Sequence, residues 1–202
     1  MKKTVIGIVG GIGSGKSLVA AAFAVRGGHL IEADQLGHEA LRQPDIKKQV
    51  IGLWGPGVVN DQGEINRRAL GKIVFADERQ RQKLESLVFP WIGRRIAEEI
   101  ERGRQDDYKS FIVLDAAIMF ETGWYRSCDK IVFVDAPREI RLQRLNQTRG
   151  WTDKDSAVRE QAQMPLAEKR QRADVVLMND GTTADLDAQV DKILATIILQ
   201  VP

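Results

Sequence analysis

Gly10-Gly11-Ile12-Gly13-Ser14-Gly15-Lys16-Ser17 is the stretch whose reading decides the fold. It fits G-x-x-x-x-G-K-[ST], the pattern of a phosphate-binding loop. Thr4-Val5-Ile6-Gly7-Ile8-Val9 before it is a short β-branched, apolar run, the pattern of a strand buried on both faces. Leu18 to Val25 after it is alanine-rich, reads as a helix, and is stopped by Gly27-Gly28. Strand, glycine loop and helix are the context such a loop requires. Glycines let successive backbone N–H groups point at phosphate oxygens, and the N-terminus of the following helix adds a positive dipole end. The expected phosphate cradle is Gly11, Ile12, Gly13, Ser14, Gly15, Lys16 and Ser17. Lys16 is expected to reach the β- and γ-phosphates of a nucleoside triphosphate, and the Ser17 hydroxyl to hold Mg²⁺.

Further strands follow at His29–Ile31, Phe111–Asp115, Lys130–Asp135 and Asp174–Met178. Apolar strands alternating with helices predict an α/β fold with a parallel sheet of five strands, whose C-terminal edge gathers the functional groups. Asp34 follows the second strand. It either takes a hydroxyl proton or N-caps a helix over Gln35–Arg42, and the local sequence leaves both readings open. Asp115 ends its strand in the place of a Walker-B aspartate, which helps to place Mg²⁺. Ala116 follows it, so the glutamate that activates water in motor ATPases is absent at that spot.

Residues 34–107 read as almost entirely helical. A helix over Asp45–Trp54 ends at Gly55-Pro56-Gly57, Asn66 caps Arg67–Phe75, Asp77 caps the next helix, and Phe89-Pro90 opens a longer one to about Arg104. So much helix exceeds one strand-to-strand crossover and implies an insertion that forms a second-substrate lobe. Residues 1–33 and 108–202 then form the nucleotide-binding core. Between Arg138 and Arg172 stand nine basic and five acidic residues. Arg141 and Arg144 lie one helical turn apart, Arg149-Gly150 ends the same helix, and Thr152 with Asp155 makes a capping box for the next. That pattern suits a flap over a triphosphate, at about 141–165; a solvated basic face is the plainer reading of any one arginine. Thr183–Leu199 reads as a terminal amphipathic helix.

The 202 residues carry a net charge of +2, with 43% hydrophobic and 29% charged residues, which suits a globular enzyme and gives no polyanion-binding signature. Cys128, the one cysteine, excludes an intrachain disulfide, fits a reducing cytoplasm, and reads as a packing residue and not a nucleophile. Met1-Lys2-Lys3 before an apolar run looks like a signal peptide, yet glycines break that run and it serves as the strand before the loop. Ile193–Val201 is apolar but far short of the ~20 residues that span a bilayer. No membrane, nucleic-acid or obligate protein partner is expected. His29 and His38 have no ligand cluster around them, and the four tryptophans read as packing anchors, although Trp124 or Trp151 could line a pocket.

Loop, acid, helical insertion and arginine-rich flap together describe a small-molecule kinase, which closes over its substrates to keep water from the γ-phosphate. The chain resembles the dephospho-coenzyme A kinases over nearly its whole length. The likeness is carried by the Gly10–Ser17 loop, Ile31-Glu32-Ala33-Asp34, Leu114-Asp115-Ala116-Ala117-Ile118-Met119-Phe120-Glu121-Thr122-Gly123, Gln163-Met164-Pro165-Leu166-Ala167-Glu168-Lys169-Arg170, Arg172-Ala173-Asp174 and Asn179-Asp180-Gly181. The resemblance implies a P-loop NTPase core of three layers with a helical acceptor domain and a helical lid. It implies ATP and Mg²⁺ as co-substrate and cofactor, and transfer of the γ-phosphate to the ribose 3′-hydroxyl of dephospho-coenzyme A. In that frame Asp34 falls where the family places its proposed base, and Arg141, Arg144 and Arg149 are lid candidates. The chain departs from the family in having Glu32-Ala33-Asp34 for Asp-Ala-Asp, Phe89-Pro90 for His-Pro, and Asp115-Ala116-Ala117-Ile118-Met119 for Asp-x-Pro-Leu-Leu. A kinase for a nucleotide, shikimate or gluconate shares the loop and lid but not these segments. A GTP switch would carry Asn-Lys-x-Asp, which does not occur.

Overall fold

A computed structural model describes residues 3–198. Met1 and Lys2, and the expected helical or apolar positions Leu199 to Val201, lie outside the described residues. The first unit, Met1–Glu32 with Ala97–Pro202, is built on five parallel strands. These are β1 (Val5–Gly10), β2 (Gly28–Glu32), β3 (Phe111–Asp115), β4 (Lys130–Asp135) and β5 (Val175–Met178), in the order β2-β3-β1-β4-β5. Every residue of β1 and of β3 is buried, as continuous apolar runs in a doubly covered sheet require. Helices α1 (Lys16–Ala24) and α10 (Thr183–Ile198) cover one face. There Ile6, Ile8, Val132 and Val134 meet Phe23, Leu186, Val190 and Ile193, and the Phe23 and Phe111 rings pack edge to face at 6.4 Å.

Register sets the chemistry of the sheet edge. Ile8 pairs with Asp115, Glu32 with Asp115, and Gly10 with Val134, so the loop after β1 and the acid of β3 emerge side by side. The chain leaves β1 toward β2 on one side of the sheet and leaves β4 toward β5 on the other. Such a switch opens a crevice at the carboxyl ends of the strands, and here it lies above β1 and β4.

The second unit is Ala33–Ile96. It holds α2 (Ala33–Ala40), α3 (Pro44–Trp54), α4 (Arg67–Ala76) and most of α5 (Glu78–Gln105), which ends in the first unit. Asn66 caps α4 by accepting from the Ala69 amide at 3.1 Å, and Asp77 accepts from the Arg79 amide at 2.7 Å to start α5. The expected helix break at Phe89-Pro90 is not there: α5 runs unbroken through Pro90. Val88, Ile92, Ile96 and Ile100 form one buried stripe on both sides of the proline, and burying that stripe outweighs the lost N–H and the ring clash. A second correction concerns Asp34. Because α2 begins at Ala33, Asp34 occupies the first turn and is not the N-cap of a helix starting at Gln35. A carboxylate in a first turn is favoured by the helix dipole.

The exposed, interior position of Pro90 gives a direct test. Pro90→Ala restores one helix hydrogen bond and should stabilise the protein by about 1–3 kcal/mol, raising Tm by roughly 2–12 °C in a thermal melt. A lower Tm would show that the proline is needed where it stands.

Candidate active site

The loop's shape is imposed by what crowds its glycines. Gly13 and Gly15 have φ of +78° and +87°, and a Cβ at Gly15 would lie 2.2 Å from the Asn179 Nδ2. A Cβ at Gly11 would lie 2.8 Å from Arg141. Loop carbonyls are taken up by side chains from elsewhere. Asn179 Nδ2 donates to the Ser14 carbonyl at 2.8 Å, Arg144 donates to the same carbonyl at 3.3 Å, and Arg141 donates to the Ile12 carbonyl at 3.1 Å. Asn179 follows β5; Arg141 and Arg144 belong to α7 (Arg138–Arg149). Helix α1 starts straight from the loop with Gly15 in the left-handed region and no side-chain cap, so its amino end is available to an anion.

Lys16 Nζ donates to the carbonyls of Gly10 and Gly11 at 3.2 and 3.0 Å, along the rim of the loop. Ser17 Oγ donates to the buried Asp115 carboxylate at 2.8 Å. This hydroxyl–carboxylate pair, hard oxygens beside a phosphate cradle, suits Mg²⁺, which takes one or two protein oxygens and fills its octahedron with phosphate and water. Among the described residues no group of three or more His, Cys, Asp or Glu gathers to hold a metal. A metal cage made wholly of protein is therefore not what these residues offer.

The other arginines fall into two groups. Arg141, only 7% exposed, also pairs with Glu160 of α8 (Asp153–Gln161) and so buttresses the loop. Arg149 is exposed and lies 4.9 Å from the Trp151 ring centre, with Arg159 at 4.0 Å from the same ring. The capping box of α8 forms as expected: the Asp155 amide donates to Thr152 Oγ1 at 3.3 Å, and the Thr152 amide to Asp155 at 2.9 Å. Hydrogen bonds from the Thr152 hydroxyl and amide hold the Asp155 carboxyl below the usual carboxylate range.

Two contributors had no visible signal of their role in the sequence. Asn179 is one. The other is Lys169, fully buried, with Nζ at 2.8 Å from Glu121, 2.6 Å from the Ala117 carbonyl and 3.2 Å from Gln163 Oε1. Glu121 also accepts from the Met164 amide at 2.7 Å, and Arg172 lies over the Phe120 and Tyr125 rings. The segments Phe120–Gly123 and Gln163–Lys169, forty positions apart in sequence, are thus one structural joint. Only their shared presence in the family's motifs marked them.

Two outcomes follow for this region. Glu121→Ala leaves a buried ammonium with only neutral acceptors, which should cost about 3 kcal/mol and lower Tm by roughly 6–12 °C; an unchanged melt would show the pair to be idle. Burial, with a lesser push from Asp129, raises the Cys128 thiol to about 12. Its alkylation by iodoacetamide at pH 8 should run at least ~100-fold slower than that of a free thiol and gain about tenfold per pH unit. Fast labelling of the folded protein at pH 8 would contradict the raised thiol.

The family model for dephospho-CoA kinase matches residues 4–185. A curated dephospho-CoA kinase of Geobacillus kaustophilus is 38% identical over 190 residues, covering 94% of each chain. The crystal structure of TT1252 from Thermus thermophilus is 34% identical, covers 98% of this chain and 99% of its own, and superposes with a TM-score of 0.82. A dephospho-CoA kinase from Campylobacter jejuni, 24% identical and covering 96% and 97%, shares the fold with a TM-score of 0.70. With the phosphate loop, the Ser17–Asp115 pair and the Glu121–Lys169 joint all inside the matched residues, the chain belongs to the dephospho-CoA kinase family.

Proposed function

We propose that this kinase transfers the γ-phosphate of ATP to the ribose 3′-hydroxyl of dephospho-coenzyme A, giving coenzyme A and ADP, the last step of coenzyme A biosynthesis. The observation that carries the reading is the Ser17–Asp115 pair beside a glycine cradle, within a chain matched by the family model from residue 4 to residue 185. In the transfer the acceptor O3′ forms a bond to Pγ as the bond from Pγ to the β–γ bridging oxygen breaks. The hydroxyl proton passes to the Asp34 carboxylate. Backbone amides of Gly11 to Ser17 and the Lys16 ammonium bind the phosphates and meet charge that builds on the leaving oxygen. Mg²⁺ held by Ser17 and Asp115 would supply further neutralisation of the β- and γ-oxygens. Arg144 and Arg149 are assigned to the transferred group, with residues 141–165 acting as the lid that excludes water. The helical insertion, residues 34–107, takes the acceptor. No helix among the described residues is long and apolar enough to cross a membrane, and a chain whose one cysteine is a free thiol suits the reducing cytoplasm assigned to it.

The test is ADP release from Mg-ATP with dephospho-coenzyme A, AMP, shikimate, gluconate or no acceptor, with products identified by mass. Release that depends on dephospho-coenzyme A, with coenzyme A formed, is expected; release with another acceptor or with none would overturn the reading. Asp34→Asn should lower kcat by about 100-fold or more with ATP affinity kept within about twofold. Turnover within a few-fold of wild type would remove Asp34 from the role of base.

A further inference from the structure

The helical unit holds a cavity of about 540 Å³ whose walls are basic. His38, Arg42, Asn60, Glu64, Arg67 and Arg68 line it. Arg67 and Arg68 are the first two residues of α4, and no acidic residue stands in that first turn. Two cations at the positive end of a helix work against its dipole. Sequence economy alone would place acids there, and a bound anion reverses the sign of the effect. The part of the lining that comes from the 59–65 turn is firm. Val59 and Ile65 form an antiparallel bridge, and Asn60 Oδ1 accepts from the amides of Gln62 and Glu64 at 3.1 and 2.9 Å. Burial, then Arg67 and Arg42, push the His38 ring below its ordinary value, with Asp34 pulling the other way. His38 is therefore neutral near pH 7, and the cavity's positive charge comes from arginine alone.

Asp34 and His38 stand four residues apart on one face of α2. Four residues advance a helix by about 6 Å, which is of the order of the distance between a ribose 3′-hydroxyl and its own 5′-diphosphate. We propose that this arginine-lined cavity is the subsite for the diphosphate group of the acceptor nucleotide, with the ribose lying along α2 toward Asp34. The inference rests on the phosphoryl-transfer reading above and deepens it. Planar guanidinium forks suit a diphosphate, whose oxygens accept paired N–H bonds. The subsite explains how a kinase with a generic donor loop selects a nucleotide acceptor over a small hydroxy acid: the acid has no diphosphate to place there.

Calorimetry on the full chain tests it, with dephospho-coenzyme A, adenosine and Mg-ATP as probes, on wild type, Arg67→Ala and the Arg42→Ala/Arg67→Ala pair. The Kd for dephospho-coenzyme A should rise at least tenfold in Arg67→Ala and further in the pair. Affinities for adenosine and Mg-ATP should stay within twofold, and Tm should hold or rise because a cation leaves the amino end of α4. An unchanged Kd for dephospho-coenzyme A in the pair would overturn the subsite, as would an equal loss for adenosine. These outcomes are separate from the activity itself: a wild type that binds dephospho-coenzyme A but does not phosphorylate it sinks the reaction and leaves the binding comparison readable.

Discussion

The carbonyl of Ser14 is held by two side chains from distant parts of the chain, Asn179 at 2.8 Å and Arg144 at 3.3 Å. Much of the donor site depends on that grip. A glycine loop has little conformational preference of its own, and ordering it on binding would cost about 1–2 kcal/mol for each residue fixed. Here the cost is met on folding. Carbonyls of Ile12 and Ser14 are tied to α7 and to the residue after β5, and the Ser14 amide donates to the Gly11 carbonyl at 3.1 Å, so the path of the loop is fixed in the folded chain. The same contacts explain why the residues must be glycine. Gly15 lies against Asn179 and Gly11 against Arg141, so a side chain at either place would push its own clamp away.

The second constraint is the joint around Lys169. A fully buried ammonium is unfavourable unless its donors are met, and Glu121, the Ala117 carbonyl and Gln163 meet them. The joint ties the stretch after Asp115 to the stretch that follows α8. Positions near the Ser17–Asp115 pair and positions at the base of the arginine-rich segment therefore hold a common geometry. The glycine loop, Asp115 and that segment's base are held together by polar side chains, with the apolar core beneath them supplying most of the stability.

Much of this was legible in the chain. Buried parallel strands announce themselves as β-branched runs, and Asn66, Asp77 and the Thr152–Asp155 box act as the caps their residue types suggest. Local chemistry decides such features. What was not legible is decided by tertiary contact. Pro90 reads as a helix start because the ring tolerates a first turn, yet the buried stripe from Val88 to Ile100 carries the helix through it. Asp34 reads either as a proton acceptor or as the N-cap of a helix from Gln35; its place inside the first turn of α2 depends on where β2 releases the chain. Asn179 and Ser14 are 165 positions apart, and no periodicity or spacing announces their contact. Lys169 looks like one of many surface lysines until the fold buries it.

The phosphate loop is set in advance by side chains outside it. Titration of Mg-ATP into Asn179→Ala and wild type tests this most directly. Loss of one buried hydrogen bond and of the loop's preset shape should weaken Mg-ATP binding about tenfold, roughly 1.4 kcal/mol, with the melt lowered only slightly. An affinity within twofold of wild type would mean that the loop holds its shape by itself and that the clamp from Asn179 is dispensable, contrary to the claim.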